Sequence, residues 1–552
     1  MRTRTATILL SASLFACSSA TTPREEVTNH GLASRPTTDL STAPTCPANQ
    51  VVACYTSGYF HIKQCVCEST AWTAINSPPA AYGMWLMGDG TVLVHAAAMP
   101  TATNMTMWKL TPDSTGSYLN GTWSQQTNAF LINKANYSSQ VLSNGKLVTC
   151  GGEETSALGM PFPPTIPEPE NSTCEIYDPV TGTPSPIAQP PYVSWAGVGD
   201  CPSTLLADGS MLMGKFGVAG LLDPVALTWS TVAGDDDQEN GFALLQTGDV
   251  LSPVVESQPV FNASVRYSPA SRTWTSDAPI PVDLPTGPNV IPFGLEIGPN
   301  MTLMNGKVIW FGATGHTAIY TPTTAGQNGS WAAGPDLPIV GGKQLIAEDV
   351  PALLEPNGRV LLMATTDDEL SPQAQFLEYD PVSNSFSLVV GAPQGAATET
   401  RMLLLPNGHG LVSTANAYFD VQFGADVQPQ DAPTITSFPT YVSTGTTVAL
   451  SGTQLDGLSE VSTFGDDNQQ SETYPTVRVT STRTGVVTYL RAHDVSTRSI
   501  APNQAATVLV DIPHKLPTDW YQLSVVAMGI ASAPVSVWVN YVPPCPRCPP
   551  WP

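Results

Sequence analysis

Four carboxylates and one asparagine stand nine residues ahead of a glycine that recurs along the chain. Asn136, Asp200, Glu239, Asp349 and Glu399 precede Gly145, Gly209, Gly248, Gly358 and Gly408 in this way, while Ala81 and Ile297 hold the same place before Gly90 and Gly306. Glu296 and Glu348 lie one residue earlier in their own repeats. Carboxylates brought together repel and raise one another's pKa unless a cation neutralises them, and hard oxygen ligands in this number suit Ca²⁺ or Mg²⁺. His493 could add a nitrogen ligand and move the preference towards a transition metal. On this reading Glu239, Glu399, His493, Asp200 and Asp349 hold a divalent metal, and Asn136, Glu296 and Glu348 contact a ligand. The competing reading has the acids bonding backbone amides of neighbouring repeats. Asp466, Asp467 and Asn468 form a short acidic turn without the full spacing of a calcium loop.

The elements that must position these residues are strands. Gly 44 and Pro 52 in 552 residues are spread along the chain and interrupt nearly every window long enough for a helix, so the expected class is all-β. Apolar segments joined by a glycine turn recur, as in Trp85-Leu-Met-Gly-Asp-Gly90-Thr-Val-Leu, Leu205-Leu-Ala-Asp-Gly209-Ser-Met-Leu and Leu353-Leu-Glu-Pro-Asn-Gly358-Arg-Val-Leu. A second signature follows most of them, such as Tyr267-Ser-Pro with Trp274 and Tyr379-Asp-Pro with Phe386, and reads as an outer hairpin. Seven such units spaced 39 to 64 residues apart predict a seven-bladed kelch β-propeller over residues 72–428. The start of each innermost strand then faces the mouth of a central channel. From 433 to 542 the pattern changes to sandwich strands such as Val448-Ala-Leu-Ser-Gly-Thr and Tyr521-Gln-Leu-Ser-Val-Val, which predict an immunoglobulin-like β-sandwich.

The ends of the chain bear on its compartment. Arg2 and Arg4 precede an apolar run from Ala6 to Ala16, too short to be a permanent membrane helix, so residues 1–16 read as a signal peptide. Leu14-Phe15-Ala16-Cys17 resembles a bacterial lipobox, which would leave Cys17 lipidated, residues 17–45 as a linker, and Ser18 consistent with transport to the outer membrane. Ordinary secretion, with Cys17 discarded, is the alternative. Ten cysteines in an exported chain point to disulfides. Cys46, Cys54, Cys65 and Cys67 make residues 46–71 a small Cys-rich segment, and Cys545 and Cys548 suggest a local bridge in the tail, 543–552. A net charge of −24 excludes a nucleic-acid partner. The sequence has no G-x-S-x-G, H-E-x-x-H or G-x-x-x-x-G-K-[ST], which removes the commonest hydrolase and nucleotide-binding classes.

Kelch-type repeats followed by Leu490-Arg-Ala-His493-Asp-Val-Ser-Thr and by Trp520-Tyr-Gln-Leu-Ser-Val-Val-Ala-Met-Gly-Ile-Ala-Ser532 resemble galactose oxidase and its bacterial relatives, over roughly Trp72 to Val542. Glu296-Ile-Gly-Pro, Gly312-Ala-Thr-Gly-His-Thr-Ala-Ile-Tyr-Thr-Pro322, Gly465-Asp-Asp467 and Tyr474-Pro resemble a bacterial branch with the same two domains. The resemblance implies one copper held by two tyrosines and two histidines, with one tyrosine crosslinked to a cysteine. That Tyr-His pair falls on Thr398-Glu399, the crosslinked tyrosine on Glu239, its cysteine on Cys201-Pro202 and the C-terminal histidine on His493. Without the tyrosine the thioether radical cannot form, so copper is not expected. The expected function is a surface-anchored propeller that binds glycans or proteins, held to the membrane by its lipid alone. The alternatives are a metal-dependent, galactose-oxidase-like enzyme at the channel mouth and a purely structural envelope protein.

Overall fold

In a computed structural model, the structure describes residues 51–57, 62–68, 71–75, 78–96, 106–128, 130–131, 134–154, 172–190, 201–215, 218–233, 241–255, 262–285, 297–366, 374–415, 417–424, 426–464 and 474–543. Among these the protein is all-β, and the one helical turn is a 3-10 turn at Pro429–Asp431.

The recurring glycines sit in tight turns whose chemistry is local. Gly90, Gly145, Gly209, Gly248, Gly306, Gly358 and Gly408 all have φ between 73° and 90°, a region in which a Cβ is strained. In six of these turns the preceding Asp or Asn accepts a hydrogen bond from the backbone N–H two residues on, as Asp89 does from Thr91 and Asn357 from Arg359. Each turn closes the first hairpin of an antiparallel sheet.

The first strands of these sheets are Ala81–Leu86, Ser138–Val141, Ser203–Leu205, Ala243–Leu244, Asn300–Thr302, Pro351–Leu354 and Arg401–Leu404, and all are buried along their length. They touch in succession and the series closes on itself, giving a propeller-like arrangement. Side-chain bonds stitch neighbours together: Trp85 Nε1 to Ser139 Oγ (2.9 Å), Gln140 Nε2 to the Ser203 carbonyl (3.1 Å), Asn300 Nδ2 to the Phe242 carbonyl (3.1 Å) and Thr302 Oγ1 to the Leu244 carbonyl (2.7 Å). Further out, the Tyr-x-Pro signatures form hairpins in which Tyr267 faces Trp274, Tyr320 faces Trp331 and Tyr379 faces Phe386, with ring centroids 5.4, 5.1 and 5.3 Å apart. Such facing aromatic pairs stabilise a sheet by roughly 0.2–1 kcal/mol each.

The last sheet is completed by the beginning of the described ring. Strand Ala71–Ile75 pairs with Tyr418–Gln422, so one sheet joins residues more than three hundred positions apart, and Trp72 packs edge-on to Phe376 and Phe419.

Beyond residue 433 two sheets pack face to face over a core that includes Val442, Leu450, Val479, Val510, Leu523 and Val539. The strands expected near Val448, Thr476, Val508 and Tyr521 are present. One segment leaves this pair: Ser462–Phe464 runs antiparallel to Pro351–Leu354 and extends that sheet, a pairing the sequence does not announce. Ahead of the ring, Val51–Ser57 pairs with Ile62–Glu68 in a register that sets Cys54 opposite Cys65. A disulfide joins Cys150 to Cys174 across facing strands. Cys17, Cys46, Cys545 and Cys548 lie outside the described residues, as do Asp466, Asp467 and Asn468.

Candidate functional site

At the leading ends of two neighbouring first strands, Ala81–Leu86 and Arg401–Leu404, lies a buried cation. Arg401 opens its strand and is 4% exposed. Its Nε donates to the carbonyl of Tyr82 (3.1 Å) and its Nη1 to the carbonyls of Thr398 (2.6 Å) and Thr400 (2.9 Å). The guanidinium lies 4.2 Å from the centroid of Phe464 and 5.2 Å from that of Tyr82, within cation–π range of both. Phe464 stands there because its strand is threaded among the first strands of the ring: Ser462 Oγ donates to the Met402 carbonyl (2.9 Å) and Thr463 Oγ1 to the Asn300 carbonyl (2.5 Å).

Asn136, Glu348, Asp349 and Glu399, the candidates described ahead of first strands, each precede the leading end of one. Tyr82 donates its hydroxyl to Asn136 Oδ1 (2.6 Å), which fits the reading in which these positions tie neighbouring repeats together. Asn136 (φ 45°) and Asp349 (φ 40°) share a left-handed backbone at the same place in their repeats, a conformation that Asn and Asp tolerate best among L-residues. Glu348 and Asp349 are buried and Glu399 is half-buried, two residues from Arg401. Behind Tyr82, Tyr137 meets His95 Nδ1 at 2.9 Å within a nest of Trp85 and Phe130, and burial pushes its phenol well above the ordinary tyrosine range. Asp200, Glu239 and Glu296 lie outside the described residues.

His493 is not with them. The neighbouring Ala492 N–H bonds the carbonyl of Gly88, in the turn that ends strand Ala81–Leu86, whereas Arg401 reaches Tyr82 at that strand's beginning. A strand of this length separates the two ends by roughly 17 Å at about 3.4 Å per residue. Both ring nitrogens of His493 are engaged locally, Nδ1 with Asp494 Oδ2 (2.7 Å) and Nε2 with Asp511 Oδ1 (3.2 Å). Burial raises the Asp511 pKa, but bonds from Thr447, Arg491 and His493 outweigh it and hold the carboxyl below its ordinary value. The expectation that His493 joins Glu399 and Asp349 around one metal is therefore corrected: it is a half-buried link within the C-terminal sheets. Among the described residues no three His, Cys, Asp or Glu are grouped so as to hold a metal ion.

Two buried acids missed by the sequence reading lie along the threaded segment. Glu460 accepts from Thr204 Oγ1 (2.5 Å) and from the Leu244 N–H (3.2 Å), joining two first strands, and burial pushes its pKa up to about 7 against those bonds and Arg498. Asp456 lies 3.1 Å from Arg498 Nε with both side chains about 1% exposed, and burial outweighs that attraction to bring it to about 7 as well. Arg498 also donates to the Val141 carbonyl (2.9 Å) and lies over Tyr474. The signals were faint: an arginine ahead of the apolar run Met402-Leu-Leu-Leu405, and a lone acid in Leu458-Ser-Glu-Val461.

The residues do not fit the copper group that the galactose-oxidase resemblance implies. Thr398 and Glu399 stand where a tyrosine and a histidine are needed, and Thr398 turns its carbonyl to Arg401. A fixed guanidinium two residues from Glu399 opposes the approach of a metal cation. Cys201 is buried and accepts a hydrogen bond from Ser138 through its backbone carbonyl.

No known family description matches the chain, and no curated protein matches it. Among solved structures, a fungal alcohol oxidase of the AA5 family, in complex with copper, aligns at 15% identity over 85% of this chain and 98% of its own, with a TM-score of 0.48. The extracellular domain of a putative one component system from B. thetaiotaomicron aligns at 10% identity over 89% of this chain and 63% of its own, with a TM-score of 0.39. Neither brings an activity to this chain.

Proposed function

We propose that the chain is an exported ligand-binding protein, in which a seven-bladed kelch propeller takes up a glycan or protein at the channel end where its inner strands begin. An immunoglobulin-like sandwich closes the opposite end, and a lipid on Cys17 ties the protein to the outer membrane or cell surface. The observation that carries this reading is the end of the ring that Arg401 clamps: its guanidinium bonds the backbone of Tyr82, Thr398 and Thr400 and leaves Asn136, Thr398 and Glu399 half-buried beside it in the chain or across the neighbouring strand. Half-buried amide, hydroxyl and carboxylate side chains on a rigid frame suit recognition of a hydroxyl-rich or peptide ligand. They do not supply a copper site. Export is supported by the N-terminal apolar run and by the Cys150–Cys174 bridge, since such bonds persist in oxidising compartments.

The test is a glycan array together with a pull-down from surface extracts, using the chain without residues 1–17 and its Asn136→Ala/Glu399→Gln variant. Retention of at least one glycan or partner by the first and loss of it by the second, with an unchanged circular dichroism spectrum, is expected. Retention of nothing, or chelator-sensitive turnover of an alcohol, would contradict the proposal.

A further inference from the structure

The second C-terminal sheet carries a feature that its own packing does not explain. In strands Tyr441–Ser443, Asp519–Ala527 and Val535–Asn540, alternate residues such as Val442, Tyr521, Val537 and Val539 enter the core, and the residues between them face outwards. The register sets Trp538 opposite Tyr441 on one side and Trp520 on the other. Three aromatic side chains thus form one row across three adjacent strands. Tyr441 is 57% and Trp520 48% exposed, and Trp538 between them is half-buried. The two indoles meet at 5.5 Å between centroids and an angle of 62°. Threonine or valine would satisfy the strand at such positions, so a contiguous exposed aromatic row points to a partner.

The surroundings indicate which partner. On the same face the next row is Thr480, Gln522 and Ser536, with Gln522 Nε2 donating to Ser536 Oγ at 3.1 Å. Beside the row Arg483 and Asp519 face each other at 3.6 Å, and Arg478 follows Thr480 on the same face. Rings bordered by amides and hydroxyls, with Val487 opposite Thr480 at the far end of the second row, offer flat apolar faces for sugar C–H groups and hydrogen bonds for sugar hydroxyls. A chain of net charge −24 disfavours an anionic polymer. The row spans two strand spacings, about 10 Å, which matches a short run of sugar rings, and its three side chains fall far below the roughly 20–30 residues a side of a stable protein interface. Because the indoles are inclined, a flat crystalline surface could rest on only one of them, whereas a single soluble chain can lie in the angle between them.

We infer that Tyr441, Trp538 and Trp520 form a binding site for single chains of a neutral polysaccharide. This site is separate from the channel mouth, so either reading can stand without the other. Native affinity electrophoresis of the chain lacking residues 1–17, through gels containing galactomannan, xyloglucan, hydroxyethylcellulose, mixed-linkage β-glucan or dextran, tests it. Retardation by at least one of them is expected, weakened at least tenfold by Trp520→Ala and by Trp538→Ala, partly kept by Trp520→Phe, and unchanged in Asn136→Ala/Glu399→Gln. Passage unretarded through all five gels would overturn the inference, as would retardation that survives both tryptophan changes. So would a dimer in light scattering that Trp520→Ala converts to monomer, which would make a second copy the occupant, or retardation that appears only after residues 544–552 are removed, which would make the tail the occupant.

Discussion

Glu460 joins two first strands through Thr204 and Leu244 with its carboxyl pushed to about 7 by burial. A folded-state pKa above the unfolded value means that the folded protein holds a proton the unfolded chain has released, so stability falls as pH rises from about 4.5 towards 7 and levels above that. For a shift of this size the effect is roughly 3 kcal/mol. Glu460→Gln keeps an acceptor for the Leu244 N–H, turns an amide N–H donor towards Thr204 Oγ1 in place of the accepting oxygen, and removes the titration. Its melting temperature should therefore gain on the wild type between pH 5 and pH 8, and parallel curves across that range would refute the assignment. Asp456 titrates in both proteins and does not affect the comparison. At this scale little of the site was legible. The repeat register picked out Asn136, Asp349 and Glu399 ahead of first strands, but the spacing of acids says nothing about a buried cation, and Arg401 sat unnoticed two residues from Glu399. His493 misled because a family register places a residue along the chain without saying which end of a strand its neighbours meet.

Strands were the most legible elements, since each glycine turn is specified by its own residues: a glycine at positive φ and, in six of the seven, an Asp or Asn bonding two residues on. Pairings between distant strands were not, because nothing local in Ala71–Ile75 names Tyr418–Gln422 as its partner, nor Ser462–Phe464 the sheet of Pro351–Leu354. The first pairing should matter for stability. A chain beginning at residue 78 leaves the Tyr418–Gln422 edge unpaired, and it should aggregate or be cut rapidly in limited proteolysis while a chain beginning at residue 70 resists; equal resistance would deny strand Ala71–Ile75 its closing role. The Cys150–Cys174 bridge spans a sequence separation of 24, and a loop of that size stabilises by about 3 kcal/mol in the chain-entropy account. Cys150→Ser/Cys174→Ser should lower the melting temperature by several degrees, and adding dithiothreitol to the double variant should lower it no further through this bridge.

For the whole molecule, the ring of first strands and the C-terminal sheets are interlocked: Ser462–Phe464 adds to a ring sheet, Arg498 reaches Val141, and Phe464 helps to seat Arg401. The C-terminal sheets thereby shape the end of the ring at which binding is proposed, although His493 and Ala492 lie at the other end. Which end takes the ligand is the central claim, and hydrogen exchange with and without the glycan or partner retained in the array and pull-down tests it most directly. Slowed exchange in the backbone amides of Asn136–Val141 and Thr398–Leu404 is predicted, with the turns at Gly90 and Gly145 unaffected. Protection confined to those turns, or to the Trp520 and Trp538 strands, would contradict binding at the end where the inner strands begin.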